Sequence, residues 1–553
     1  MEDFNLGTHT RPIATTSVDA QRWFDMGLNW CFGFNQEAGL ACFLKALTFD
    51  SNCPMAHWGV AYACGPFYNL AWHEFGEEEA AATIQLAHRH LALAREHATD
   101  PAERGLVDAL AGRFLEPQPV AAEAYAAWDN EYADRLRDLH QRYPDDHDIM
   151  ALFVEALITR TVRRLFDVRT GLPAPGSAVV EALAVIERSI SLANETGQPQ
   201  HAAIHHLNIH ALEMSNEPEK ALPSADILAT LCPDAGHLNH MPGHIYALCG
   251  QWQQAHEASN RAIRADDLYA NVPGTPKINY YLIARCHDLH LQIFACMFLG
   301  KFTHALAAAD KVRGMLTEDV LRVQGRPKLA RMTEAYYSMR LHVLVRFGRW
   351  QDIVEEPMPS DPNLYLVTTA MQHYARGVAF ASLKRIPEAE KERTAFAESL
   401  ERIPATWRYN MNPAHAILAV GAAMLAGELA YHKGHYAEAF KHLREAVQRD
   451  DDLNYCEPWP WMHPPRHPLG ALLAAQGYWA EAEEVYRDDL GLSDRVQRCA
   501  QHPGNVWALR GLVECLEQRD EQDQLPGLRQ KLALALTRAD VPIASSCMCR
   551  NGR

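Results

Sequence analysis

Apolar residues recur at i, i+3, i+4 and i+7 through nearly the whole chain, and no long alternating run of β-branched residues interrupts them. That period is the signature of amphipathic helices, so the pattern predicts an all-α protein. The helical segments come in pairs. Trp23, Met26, Gly27 and Trp30 mark one helix, Gly39, Phe43 and Ala46 mark the next, and Pro54 closes the pair. The theme returns near the end with Gly427, Ala439, Leu443 and Ala446, then with Leu469, Gly470, Leu473, Ala482 and Tyr486, then with Trp507 and Gly511. Weaker copies centre on Gly377 and Ala389, and on Leu341 and Ile353. Repetition of this kind extends from about residue 19 to about residue 535 and must be read before any other feature.

The spacing resembles the tetratricopeptide pattern, with two helices in each repeat of about 34 residues. In that pattern small residues let the helices approach and large ones fill the gaps. Ala221 and Ala255 stand one such period apart at equivalent positions. Ala305 follows after a longer interval, which leaves an insertion around DDLYANVPGTPKINYY. The resemblance implies a right-handed superhelix of antiparallel helix pairs with a concave groove. Three segments are expected: N-terminal repeats over 1–160, central repeats over 161–320, and C-terminal repeats with a short tail over 321–553.

Composition changes the picture at one residue type. The 553-residue chain holds 28 His, about twice the usual share. Counting back from Ala221, Ala255 and Ala305 puts His206, His210 and Glu213 on one helix, His237, His240 and His244 on the next, and His287 and His290 on a third. In tetratricopeptide folds, as the resemblance implies, these positions line the groove. Two His at i and i+4 share a helix face, and neighbouring helices pack about 8–10 Å apart, so imidazoles facing each other can share one ion. A donor set rich in imidazole and poor in carboxylate and thiolate suits copper or zinc, then iron, and disfavours magnesium and calcium. A single groove His can equally hydrogen-bond a neighbour or bind a peptide carboxylate, and a His-lined groove can bind an acidic peptide or respond to pH. Pro242 lies between His240 and His244 and predicts a kink beside the cluster.

Charge and cysteine content narrow the function further. The net charge of −17 argues against nucleic acid and against an anionic membrane surface as partners. The longest apolar stretch, Ala416 to Gly427, is too short to span a bilayer, and the acidic start is unlike a signal peptide. A cytoplasmic location is expected. The 13 Cys show no CxxC pair and read as buried small hydrophobes; Cys547 and Cys549 fall in a tail expected to be disordered. The chain has no phosphate loop, no dinucleotide glycine motif, no HExxH and no GxSxG.

Longer stretches look familiar. HAAIHHLNIHALE, AGHLNHMPGHIYALCGQW and RCHDLH, with NCPMAHWGVAYACGPFYN near the start and NYCEPWPWMHPPRHPLGALL near the end, resemble a large family of long tetratricopeptide-repeat proteins from bacteria and fungi. The resemblance covers almost the full chain and implies an α-superhelix, but no single reaction. Gln36, Asp288 and the basic segment Thr159 to Phe166 depart from the pattern, which points to a different substrate if they touch one. Trp461 and Arg466 in the Pro- and Trp-rich segment, with Glu457, read as an aromatic wall with an anion contact or as a rigid inter-repeat loop. Glu155, Asp288 and Tyr281 are further candidates for substrate contact, and the Tyr-rich insertion is a candidate lid or a plain surface loop.

Together these features predict a metal centre of His206, His210, His237, His240, His244 and His287, with Glu213 and His290 as acid/base or supporting groups. The expected activity is metal-dependent oxidation of a small molecule or short peptide. The alternative is a non-enzymatic adaptor that binds a peptide or protein partner in its groove.

Overall fold

The computed structural model describes residues 2–551. Helices dominate. Among these residues the strands are the two-residue segments Arg408–Tyr409 and Asn412–Pro413, paired antiparallel. The all-α expectation holds, and the helices pack chiefly against their neighbours in sequence: Val18–Phe32 on Gln36–Phe49, Leu366–Ser382 on Ile386–Glu401, and Ala414–His432 on Tyr436–Asp451. Short connections of this kind make helical hairpins.

The chain divides into two compact units, each discontinuous in sequence. The first comprises 1–245, 260–288 and 323–329; the second comprises 246–259, 289–322 and 330–553.

In the first unit the opening hairpin shows why the pattern folds. The Ser17 side chain accepts a hydrogen bond from the Ala20 amide, and Asn35 accepts one from Ala38, so both helices start on a capped amide. The buried Phe43 ring packs against Gly27 of its own pair and Gly59 of the next helix. A methyl group added at Gly59 would sit 2.4 Å from that ring, and one at Gly27 2.7 Å. The second unit repeats the device with Tyr486 between Gly470 and Gly511. Small residues on one helix thus make room for a ring from the other, which is the packing the repeat pattern predicts.

The expectation of a disordered tail is overturned. Ser546 and Cys549 are buried, and Ser546 bonds the Tyr486 hydroxyl while its backbone carbonyl accepts from Arg346. A buried Ser with these partners has no reason to leave the core. The apolar stretch after His415 also belongs to a longer element than its own length suggests. The helix Ala414–His432 has 19 residues and, like Tyr281–Leu299, is long and apolar enough to cross a bilayer; both bury most of that apolar window inside the protein.

Candidate metal centre

The six candidate ligands lie in the first unit. His206 and His210 lie on the helix Ala202–Leu212, His237 and His240 on Gly236–His240, His244 on Pro242–Leu248, and His287 on Tyr281–Leu299. The irregularity expected at Pro242 is a one-residue interruption at Met241, whose backbone stays in the right-handed helical region. Pro242 is the first residue of a new helix, where its missing N–H costs nothing. The Asn239 amide ties the carbonyls of Cys232, Pro233 and Ala235, each at 3.0 Å, and fixes the turn that leads into the cluster.

The cluster is not an open groove, and here the sequence expectation is corrected. His206, His210, His237, His240, His244 and Glu213 are all at most 2% exposed, and only His287 is partly exposed. The cover comes from the turn joining the first two helices. Phe34 adopts φ +56°, a left-handed conformation that is rare for a bulky residue and gathers at functional sites. Its ring centroid lies 4.3 Å from that of His206 and stacks on His210 and His237 at 5.7 and 5.5 Å. Tyr68 packs on His210 at 4.6 Å. These contacts join segments far apart along the chain, so helical periodicity carries no signal for them.

Two groups of three imidazoles result. His206, His210 and His237 each offer a nitrogen within 4.8 Å of the others, and so do His240, His244 and His287. Glu213 joins the groups. Its Oε1 accepts the Nδ1 proton of His210 at 2.9 Å and its Oε2 that of His244 at 2.7 Å. Burial pushes the Glu213 carboxyl up, but the two His outweigh it and hold it well below the usual carboxylate range. His206 donates from Nδ1 to the Phe32 carbonyl at 2.8 Å.

These partners fix tautomers, because a carbonyl or a carboxylate only accepts. In their neutral form His206, His210 and His244 therefore carry the lone pair on Nε2. Nε2 of His206 and of His210 has no hydrogen-bond partner, and neither nitrogen of His237 has one. In the second group, Nε2 of His244 lies 2.7 Å from Nε2 of His240 and 3.3 Å from Nε2 of His287. Nitrogens bound to one ion at about 2.0–2.1 Å sit about 3 Å from each other, which is this spacing. Burial, followed by the neighbouring imidazoles, holds His206, His237 and His240 well below their usual range, so they are neutral and able to ligate.

Behind His240 stand two buried acids. His240 Nδ1 is 3.2 Å from Asp288, and Tyr281 donates its hydroxyl proton to Asp266 at 2.8 Å. Burial and then Asp266 raise the Asp288 carboxyl well above its normal range; burial lifts Asp266 to about 6. Asp288 and Tyr281, read from sequence as substrate contacts, therefore sit beside the second His group.

The other candidates lie elsewhere. Glu155 is buried, accepts from Tyr62 at 2.9 Å and lies 3.8 Å from Arg113. The insertion is pinned at its end: the Tyr280 and Tyr281 amides donate to Glu37 and the Tyr280 hydroxyl to Glu79. His290 belongs to the second unit, where its Nε2 is 3.0 Å from the Met462 sulfur. Glu457, Trp461 and His290 line a small cavity in that unit, whereas Arg466 makes a two-pronged bond to Asp451. A third His and carboxylate group was not legible in sequence: His9 and His201 both bond Asp148 Oδ1, at 2.8 and 3.1 Å, and Arg11 bonds its other oxygen.

No family model matches the chain, and no curated protein matches it. Among solved structures it is similar to the human IFIT1 dimer with m7Gppp-AAAA, at 11% identity, TM-score 0.31, over 96% of this chain and 92% of that one. It is similar to yeast Tom70 at 11% identity and TM-score 0.28, over 94% and 93% of the two chains.

Proposed function

We propose that this chain is a helical-repeat protein whose buried His cluster holds transition-metal ions, copper or zinc ahead of iron. The observation that carries the proposal is the set of unpartnered imidazole nitrogens. Glu213 and the Phe32 carbonyl engage the outer nitrogens of His206, His210 and His244, while Nε2 of His206 and of His210 and both nitrogens of His237 have no hydrogen-bond partner. A hydrogen bond from His240 Nε2–H to His244 Nε2 satisfies part of the second group. It leaves His206, His210 and His237 without partners in a buried site, and a cation would relieve both groups.

His206, His210 and His237 would hold one ion, and His240, His244 and His287 a second, with Glu213 orienting one ligand of each. When bound, such metal supplies redox or Lewis-acid chemistry suited to oxidation of a small molecule or short peptide. Phe34 and Tyr68 exclude water from the site.

The repeated helix pairs favour a second reading, and do so more directly than they favour catalysis. Stacked helical hairpins commonly bind peptide segments, so the chain acts as a non-enzymatic adaptor and the His cluster is its structural centre.

Elemental analysis of the purified, untagged full chain beside a His240→Ala, His244→Ala variant tests the metal. Near-stoichiometric copper, zinc or iron that is lost in a folded variant supports the centre. A protein that binds none of these ions after reconstitution refutes it and leaves the adaptor. If metal is present, a chelator that abolishes an oxidase activity while the fold persists separates catalysis from a structural role.

A further inference from the structure

The second unit contains a separate pocket of about 80 Å³, where one water needs roughly 10–15 Å³. It is lined mainly by apolar and aromatic side chains, among them Met332, Met339, Met371, Tyr336 and Trp461. Among the described residues that line it there is no Lys or Arg. A carboxylate entering this space would lose its water, find no cation and meet Glu457. An ammonium group would likewise lose its water on entering.

Among the buried polar atoms that line it, the Tyr409 hydroxyl and His342 Nδ1 have no hydrogen-bond partner. His342 is 4% exposed. The ring is held in place, edge-on to Trp461 at 5.2 Å and to His463 at 5.1 Å. Burial depresses it to about 3, so it is a neutral imidazole with one nitrogen to offer. Three methionines supply an adaptable wall that favours ring contacts. A pocket with apolar walls and one or two placed polar groups is the usual form of a small-molecule site.

We infer that this cavity binds a neutral, single-ring aromatic molecule bearing a hydroxyl group, with the ring among the methionines and Trp461 and the hydroxyl bonded to the His342 imidazole. The inference is independent of the metal reading, since every residue it uses lies in the second unit.

Isothermal titration of the full chain with phenol, benzene, benzoate and benzylamine tests it. The expected result is one phenol per chain at the millimolar affinity usual for a ligand of this size, with benzoate and benzylamine at least about tenfold weaker. Benzene should bind more weakly than phenol, and His342→Phe should bring phenol down to benzene's level. Because His342 packs against Trp461, that variant can misfold, so methyl-labelled methionine NMR of the wild-type chain provides a second measurement. Phenol should shift Met332, Met339 and Met371 and leave the buried Met55 and Met150 of the first unit unmoved. No shift at the three cavity methionines overturns the inference, as does benzoate or benzylamine binding as tightly as phenol.

Discussion

Glu213→Gln is the most informative single change. The carboxylate accepts two N–H donors, at 2.9 Å from His210 and 2.7 Å from His244, and is fully buried. Glutamine keeps the shape but offers one acceptor oxygen and one NH2. One imidazole then faces a donor with its own Nδ1–H. It must either break that contact or move its proton to Nε2, which removes the lone pair there, so one of the two His groups loses a ligand or its orientation. Loss of an orienting partner of this type costs about 10–100-fold in metal affinity, or about 1.4–2.8 kcal/mol. Without metal the balance differs. Charge-assisted hydrogen bonds are worth about 1.5–3 kcal/mol each, but removing the buried charge offsets part of that, and the net loss should be about 1–2 kcal/mol. Metal retention against a graded series of chelators, with urea unfolding of the metal-free protein, measures the two separately. The expected outcome is a tenfold or greater loss of affinity for one ion, with a modest fall in stability. A variant that folds and keeps both ions at wild-type affinity would refute the orienting role of Glu213.

Other perturbations probe different parts of the molecule. Gly59→Ala puts a methyl group 2.4 Å from the Phe43 ring and should destabilise the first unit by about 1–3 kcal/mol in urea unfolding; a neutral effect contradicts the packing described. Burial raises Glu428 from 4.5 to about 8. A carboxyl raised in the folded state binds its proton more tightly there than in the unfolded chain. Its stabilising contribution is thus complete below about pH 4.5 and is lost as pH climbs through about 8. Glu428→Gln should flatten that decline, by about 3–5 kcal/mol at alkaline pH, and identical stability–pH curves for the two proteins would speak against it. Ser546→Ala removes partners of Tyr486 and the His467 carbonyl. It should lower the unfolding midpoint of the second unit by a few degrees in calorimetry, whereas a freely disordered tail would give no change.

Much of the protein is legible in its residues, and the reason is local. A helix is built from contacts three and four residues apart, so the apolar period alone predicts the all-α chain, and the recurrent Gly and aromatic positions predict the pairing seen at Gly27, Phe43 and Gly59. His206 and His240 stand one repeat apart, as do His210 and His244, and the fold brings these rings into one cluster, because equivalent positions in stacked pairs become neighbours. Pro242 announces the interruption of the helix by its own chemistry. None of this carries the burial of the site. The Phe34 ring, the Phe32 carbonyl and Tyr68 reach the His cluster from distant parts of the chain, and the Gly-Phe-Asn turn that delivers the first two looks like any other connection. The same holds for His9 beside Asp148 and for Ser546 under Tyr486. Such contacts are chosen by the packing of the whole unit, where a side chain's partner depends on which distant segment fills the adjacent space. Periodicity says which face of a helix turns inward; only the folded chain says what it meets there.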